Sequence, residues 1–214
     1  YQSSIATIWK DRVAKHQEYT AKIPFSDFKV FDFICQNLPK NIQLQVSNSS
    51  AIRYLQLFDV DKSVQVFCNR GTSGIDGSTS TAIGAALASD LPTMLITGDI
   101  SFLYDSNALW NNYIPKNFKI ILLNNSGGGI FRILPGHQET ETFNTYFETS
   151  HQLNALHLAK MYGFDYYTAT DEDSLKTSYK SFLNQNNKPC ILEIFTPEKS
   201  NNRILLDFFG ALKK

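Results

Sequence analysis

Apolar and polar positions along the chain form blocks that predict strands and helices in alternation. Six short blocks rich in aliphatic residues have the length of strands, and they span residues 42–46, 64–68, 93–97, 118–123, 165–169 and 190–195. Longer blocks with apolar residues at helical spacing separate them, at residues 51–58, 80–88, 102–110, 153–162 and 174–183. The pattern therefore predicts repeated strand–helix units.

The strands are predicted to be buried on both faces. Residues 94–96 and 120–123 are apolar at consecutive positions, which a parallel sheet covered by helices on both sides requires. We expect an α/β fold with a doubly wound, mostly parallel sheet. Two further helices are predicted at 3–22 and 26–38, and Ser26 is a candidate N-cap of the second. We expect residues 1–24 to form an entry helix and linker, residues 25–214 to form one domain, and residues 198–202 to be only a polar connector.

Small, polar and glycine-rich segments follow four of the predicted strands. They cover residues 47–50, 69–77, 98–101 and 124–131. In an open parallel sheet, ligands bind beyond the carboxyl ends of the strands. The glycines at 71, 74 and 77 precede a predicted helix, which favours phosphate binding by backbone N–H groups. Their spacing matches neither a dinucleotide fingerprint nor a P-loop, and a tight strand-to-helix turn would also explain them.

Two of these strand ends carry candidate metal ligands. Asp99 offers a carboxylate, Asn125 offers an amide oxygen, and the carbonyl of Gly127 could supply a third oxygen. Oxygen ligands of this kind suit Mg²⁺, whose shell is completed by phosphate and water. The alternative is that Asp99 caps the helix that follows and Asn125 belongs to a turn.

Composition and charge narrow the possible partners. The 214 residues contain 20 Lys and Arg and 20 Asp and Glu, so no net charge attracts nucleic acid or an anionic membrane. No apolar run approaches the roughly 20 residues that a transmembrane helix needs. Three widely spaced cysteines favour reduced thiols and a cytoplasmic location. Because the chain begins with Tyr1, we expect it to be part of a longer protein.

The Gly98–Asp99 pair, followed after about 25 residues by Asn124–Asn125, resembles the metal motif of thiamine-diphosphate-dependent enzymes. The usual family pattern has glycine after the aspartate, whereas Ile100 and Ser101 follow here. That departure, together with segments 48–53 and 69–77, is similar to the menaquinone-pathway synthases within the family. The specific motifs cover residues 45–134, and the rest of the chain resembles the family only in the order of its elements.

The resemblance implies roles for individual residues. Mg²⁺ or Mn²⁺ would be held by Asp99, Asn125 and Gly127. The cofactor, thiamine diphosphate, would be bound by Ser73, Gly74, Ile75, Gly98, Ile100, Ser101, Ile130 and Phe131, with Ile75 as an apolar wedge beneath it. Substrate would contact Ser49, Arg53, Arg70 and Leu134, and guanidinium groups are suited to carboxylates. His16, His137, His151 and His157 are expected to be exposed or to have structural roles.

The resemblance also implies a reaction, in which 2-oxoglutarate is decarboxylated and its succinyl unit is added to isochorismate. In this family an activating glutamate comes from a separate N-terminal domain, usually of the partner subunit. We therefore expect no catalytic residue within this chain, no activity of the chain alone, and a dimer or tetramer for the whole protein. Two alternatives remain: another thiamine-diphosphate enzyme, such as a relative of acetohydroxyacid synthase or pyruvate decarboxylase, or a non-catalytic domain that binds a phosphate ligand.

Overall fold

Six parallel strands form one sheet in a computed structural model that describes residues 2–213. The strands are β1 (Gln43–Val46), β2 (Gln65–Cys68), β3 (Thr93–Gly98), β4 (Lys119–Asn124), β5 (Asp165–Ala169) and β6 (Cys190–Phe195). Their order across the sheet is β2-β1-β3-β4-β6-β5. The predicted strands are all present, and their ends differ from the prediction by one residue at most. The predicted parallel α/β sheet is confirmed.

Within residues 2–213, eight α-helices surround the sheet. They are α1 (Gln2–Lys22), α2 (Asp27–Asn37), α3 (Ser50–Leu55), α4 (Ser78–Ala88), α5 (Asp99–Tyr104), α6 (Leu156–Tyr162), α7 (Glu172–Asn184) and α8 (Asn201–Ala211). Among the described residues there are also 3-10 helices at Ser106–Trp110 and Gly129–Ile133 and a π-helical turn at Phe143–Glu148. The single helix predicted over 102–110 is wrong, because α5 and a separate 3-10 helix occupy that region.

The connector predicted at 198–202 is also wrong at its end, because α8 begins at Asn201. Asn201 is buried, and its Oδ1 accepts the backbone N–H of Asp27 at 2.8 Å. Ile204, Leu205 and Phe208 face the core from the same helix. Asn201 is polar because it accepts an N–H group at the start of α2, which the local sequence around Asn201 does not reveal.

Both faces of the sheet are buried in separate apolar cores. In β4, Ile121 and Leu123 pack into the core that contains residues of α2, α3, α7 and α8. Ile120 and Leu122, which alternate with them, pack into the opposite core with residues of α4 and α6. Alternate side chains of a strand point to opposite faces, so a continuous apolar run fills both layers.

Side-chain caps stabilise the N-termini of α2 and α7. Ser26 accepts the backbone N–H of Lys29 at 3.4 Å, which confirms it as the N-cap of α2. Asp171 and Ser174 form a reciprocal capping box at the start of α7. These contacts satisfy N–H groups that the first turn of a helix leaves without a partner.

Helix α1 packs along α2 and α8. The Tyr19 hydroxyl donates to the carbonyl of Ile204 at 2.5 Å, and His16 lies among the rings of Phe28, Phe58 and Phe208. Burial lowers the pKa of His16. The division into an entry helix (1–24) and one domain (25–214) stays a prediction. Among residues 2–213, no helix is both long and apolar enough to cross a bilayer.

Candidate functional site

A cavity of about 220 Å³ opens at the carboxyl ends of β1, β3 and β4. Strands β1 and β3 are the neighbours at which the strand order reverses, and ligands bind at such a point in doubly wound sheets. Ten residues predicted to bind ligand line it: Ser49, Ile75, Gly98, Asp99, Ile100, Ser101, Asn125, Gly127, Ile130 and Phe131. The structure therefore brings most of the predicted site together.

Asp99 lies at the centre of this arrangement. It is the first residue of α5, directly after β3, and only 4% of its surface is exposed. Its Oδ2 accepts the backbone N–H of Gly127 at 3.0 Å, and its Oδ1 accepts the N–H of Ile100 at 2.7 Å. One carboxylate thereby joins the start of α5 to the loop after β4. Gly98 is the N-cap of α5, and the Asp99 carboxylate bonds Gly127 on the neighbouring loop as well as Ile100 in its own helix.

Asn125 also borders the cavity, and its amide has a defined partner. Its Nδ2 donates to Oδ2 of Asp27 at 2.9 Å. Asp27 is the first residue of α2 and is 2% exposed. Burial raises the pKa of Asp27 to about 6, while hydrogen bonds from Thr196 and Asn125 oppose the rise. Local sequence patterns gave no reason to place Asp27 in the site.

Gly127 occupies a position that other residues fit poorly. Its φ is +156°, and a Cβ atom there would lie 2.8 Å from the carbonyl oxygen of Glu148. The same oxygen accepts the N–H of Gly128 at 2.6 Å. The segment that ends at Glu148 therefore packs directly on the glycine loop. This close approach explains why residue 127 is a glycine and leaves little room for a side chain at 128.

His151 lies beside the predicted metal ligands. Its Nε2 is 3.3 Å from Oδ2 of Asp99, and its Nδ1 accepts the N–H of Leu153 at 3.1 Å. With Nδ1 as acceptor, the proton of the neutral ring is on Nε2, facing Asp99. Contact with the Asp99 carboxylate raises the pKa of His151. The sequence pattern around His151 predicted only an exposed or structural role, and no local signal pointed to this contact.

The glycine-rich loop after β2 contributes Ile75 to the cavity. The Ser101 hydroxyl donates to the Ile75 carbonyl at 2.5 Å, so its single proton is used within the protein. Gly77, with φ +72°, precedes α4. Ser73 and Gly74 belong to the same loop but do not line the cavity wall, and Ser73 is exposed. Their predicted contacts with a diphosphate stay predictions.

The two arginines predicted to bind substrate lie outside the main cavity, and both are hydrogen-bonded to the loop after β1. Arg53 Nη1 donates to the carbonyl of Ser49 at 2.7 Å, and Arg70 Nη1 donates to Oδ1 of Asn48 at 2.7 Å. Ser49 has a φ of +75°, which is unusual for a residue other than glycine. Both arginines are exposed, and each guanidinium keeps further N–H donors for a ligand. Leu134 is 51% exposed and also lies outside the cavity.

The donors around the cavity suit a hard cation. Within residues 2–213, no three His, Cys, Asp or Glu side chains are grouped as a metal site would need. The candidate ligands are instead one carboxylate, one amide oxygen and one backbone carbonyl. That set matches Mg²⁺, which takes few protein oxygens and completes its shell with phosphate and water.

Known proteins resemble this chain in sequence and in fold. The family model described as "Thiamine pyrophosphate enzyme, C-terminal TPP binding domain" matches residues 48–194. The chain is 63% identical over 212 residues to a protein of Flavobacterium johnsoniae named 2-succinyl-5-enolpyruvyl-6-hydroxy-3-cyclohexene-1-carboxylate synthase. It is 67% identical over 205 residues to the protein of that name from Flavobacterium psychrophilum and 42% identical over 194 residues to that from Bacteroides fragilis.

These matches cover 99%, 96% and 90% of this chain but only 38%, 37% and 35% of the three relatives. A solved benzoylformate decarboxylase from Polynucleobacter necessarius has the same fold, with a TM-score of 0.68 and 19% identity. That likeness covers 84% of this chain and 34% of the decarboxylase. The family match covers β2, β3, β4, β5 and most of β6, together with the cavity residues from Asn48 onwards. This chain therefore belongs to the thiamine pyrophosphate enzyme family, as a C-terminal domain that binds thiamine pyrophosphate.

Proposed function

We propose that this chain is the diphosphate-binding part of a 2-succinyl-5-enolpyruvyl-6-hydroxy-3-cyclohexene-1-carboxylate synthase. The whole protein would decarboxylate 2-oxoglutarate and add the succinyl unit to isochorismate in menaquinone biosynthesis. One observation carries the proposal: Asp99, Asn125 and Gly127, from two separate loops, border a single cavity at the carboxyl end of the sheet. The identity of 63% to 67% with relatives of that name, over nearly all of this chain, supports the choice of reaction.

The ligands of the cation would be the Asp99 carboxylate, the Asn125 amide oxygen and the Gly127 carbonyl. Mg²⁺ or Mn²⁺ fits this all-oxygen set. Gly98, Ile100 and Ser101 surround Asp99 at the cavity wall, where a diphosphate joined to the cation would lie. Ser73 and Gly74 would contribute from the loop after β2.

The remaining wall residues position and shield the cofactor. When bound, thiamine diphosphate supplies a nucleophilic carbon that attacks the 2-oxoacid. Ile75 presents an apolar side chain to the cavity, and the Ser101 hydroxyl holds its backbone in place. Ile130 and Phe131 line the same cavity, and the Phe131 ring packs edge-on against Phe147 at a centroid distance of 5.8 Å. These apolar groups would exclude water from the reacting carbon.

Arg53 and Arg70 would bind the carboxylates of the substrates, with Ser49 and Leu134 nearby. Both substrates of the proposed reaction carry more than one carboxylate, and the two guanidinium groups are the cationic groups anchored to the loop after β1. A charged hydrogen bond contributes about 1.5–3 kcal/mol, so removing one arginine should lower kcat/KM about 10- to 100-fold.

The metal site is tested by the thermal response of the intact protein. Thiamine diphosphate with Mg²⁺ should raise the melting temperature, because ligands that bind only the folded state stabilise it. Asp99→Ala should abolish this rise. Asp90→Ala, which removes an exposed carboxylate far from the cavity, is the matched control and should keep it. An equal rise in Asp99→Ala and the wild type would remove Asp99 from the metal site.

The reaction is tested by turnover of the intact protein with 2-oxoglutarate and isochorismate. Arg53→Ala and Arg70→Ala should each lower kcat/KM, whereas Arg203→Ala, an exposed arginine on α8, should not. Turnover of pyruvate without any use of isochorismate would instead favour an acetohydroxyacid synthase or pyruvate decarboxylase activity.

The activating glutamate is expected outside these 214 residues, because the chain spans little more than a third of its relatives. The resemblance to the family also implies a dimer or tetramer of the whole protein. The chain alone should therefore show no turnover. Decarboxylation of 2-oxoglutarate by the isolated chain would overturn this part of the proposal.

A further inference from the structure

The Asp27 carboxylate is buried at the point where three segments meet. Its Oδ2 accepts the Nδ2–H of Asn125 at 2.9 Å, and its Oδ1 accepts the hydroxyl of Thr196 at 2.5 Å. Its backbone N–H donates to Asn201. Within residues 2–213, no lysine, arginine or histidine forms an ion pair with Asp27. Burying a carboxylate without a cationic partner costs folding free energy, so we expect Asp27 to have a specific role.

Asp27 determines which way the Asn125 amide faces. An ionised carboxylate can only accept hydrogen bonds, so the atom of Asn125 that meets it must be the NH₂ group. The two ends of a planar amide point in different directions, and Oδ1 is therefore turned away from Asp27. Without such a partner the amide could rotate by half a turn and present N–H donors, which repel a cation.

We propose that Asp27 is a positioning residue that fixes the Asn125 amide with its oxygen directed to the divalent cation. This inference rests on the proposed metal site. Asp27 acts through Asn125 and is not itself a metal ligand. In metal sites, partners of this kind orient the ligands, and losing one weakens metal binding about 10- to 100-fold.

Asp27 also has contacts that would matter for stability alone. Thr196 follows β6 and Asn201 begins α8, so Asp27 joins α2 to both elements. Any substitution at Asp27 should therefore lower the melting temperature of the ligand-free protein. The test must separate this structural effect from an effect on the orientation of Asn125.

The test measures Mn²⁺ affinity by electron paramagnetic resonance of the intact protein with saturating thiamine diphosphate. Asp27→Asn keeps the shape of the side chain, but its amide can either donate or accept and no longer sets the orientation of Asn125. It should weaken Mn²⁺ binding about 10-fold or more. The same substitution is then made together with Asn125→Asp. A carboxylate at position 125 offers an oxygen whichever way it turns, so Asp27→Asn should cause no further loss there.

An equal loss of Mn²⁺ affinity in both backgrounds would overturn the inference, because it would show an effect that does not pass through the Asn125 amide. Thr196→Val is the matched control, since it removes the other hydrogen bond of Asp27 and leaves Asn125 untouched. It should lower the melting temperature and leave the Mn²⁺ affinity near that of the wild type. If the wild type binds no Mn²⁺ with thiamine diphosphate, the proposed metal site itself fails, and the inference with it.

A crystal structure of the wild type with Mn²⁺ gives a second test that does not depend on the folding of any variant. The inference expects Asn125 Oδ1 on the cation and Nδ2 on Asp27. An Asn125 amide nitrogen bonded elsewhere, or an Asn125 side chain away from the cation, would overturn it.

Discussion

Arg132 and Glu148 form a buried ion pair that holds the turn Phe143–Glu148 against Gly127 and Gly128. Both side chains are only 1% exposed. The guanidinium bonds both carboxylate oxygens of Glu148 through Nε and Nη2, and this contact raises the pKa of Arg132. The pair ties the 3-10 helix Gly129–Ile133 to the turn Phe143–Glu148. We predict that Glu148→Gln will destabilise the protein and weaken cofactor binding.

The size of the effect follows from the burial of the pair. Removing one partner of a buried pair costs about 3–5 kcal/mol, because the other charge stays buried without compensation. Arg132 keeps a contact with Glu139, which is 52% exposed, so we expect about 3 kcal/mol, the lower end of that range. In a cooperative unit of about 200 residues this lowers the melting temperature by about 6–12 °C.

The assay is calorimetric melting of the intact protein with and without thiamine diphosphate and Mg²⁺. Because the Glu148 carbonyl contacts Gly128 and limits Gly127, a displaced Glu148 should also reduce the rise in melting temperature on ligand addition. Glu141→Gln is the control, since Glu141 is exposed on the same segment and takes no part in the Arg132 ion pairs, and such a surface substitution costs within about 0.5 kcal/mol.

A double substitution provides the sharpest check. Apolar residues of similar volume often replace a buried ion pair at little cost. Arg132→Met with Glu148→Met should therefore melt at a higher temperature than Glu148→Gln alone. The reasoning is refuted if Glu148→Gln melts like the wild type, or if the double substitution costs as much as its two single substitutions added together.

Three further substitutions test other parts of the site and core. Gly127→Ala should cost about 1–3 kcal/mol in backbone strain and remove the thermal response to ligand, because its Cβ meets the Glu148 carbonyl; an unchanged response in a melting scan would contradict this. Glu193→Gln should lower stability by about 1–3 kcal/mol in denaturant titration, because this fully buried carboxylate accepts three hydrogen bonds, and an unaltered midpoint would speak against it. Lys119→Met should lower the stability by a similar amount, because the Lys119 ammonium donates to the buried carbonyl of Phe182 at the end of α7. An unchanged melting temperature in calorimetry would contradict this.

The architecture could be predicted from the sequence because it is encoded in short-range patterns. Runs such as Ile120–Leu123 are apolar at every position, which is typical of a short strand with both faces covered. The cavity residues could be predicted for a related reason. Polar and glycine-rich segments follow the strands, and parallel strands bring their carboxyl ends to one edge. The resemblance to the family then assigned roles to Asp99, Asn125 and Gly127.

Helix α8 has apolar residues at helical spacing, but it was not among the predicted helices. Ile204, Leu205 and Phe208 recur at helical spacing, but only a polar connector was predicted at 198–202, and no helix after it. The buried Asn201 explains the error, because its partner Asp27 is 174 residues away in the chain.

The sequence by itself determined the six strands, most of the helices, the parallel pairing and the edge of the sheet at which the cavity opens. Only the tertiary structure decided that β6 lies between β4 and β5, that Asn125 donates a hydrogen bond to Asp27, that His151 faces Asp99, and that Glu148 covers Gly127. The physical reason is range. Helix and strand patterns repeat every few residues and can be read locally, whereas these contacts join residues tens of positions apart and depend on how complete layers pack together.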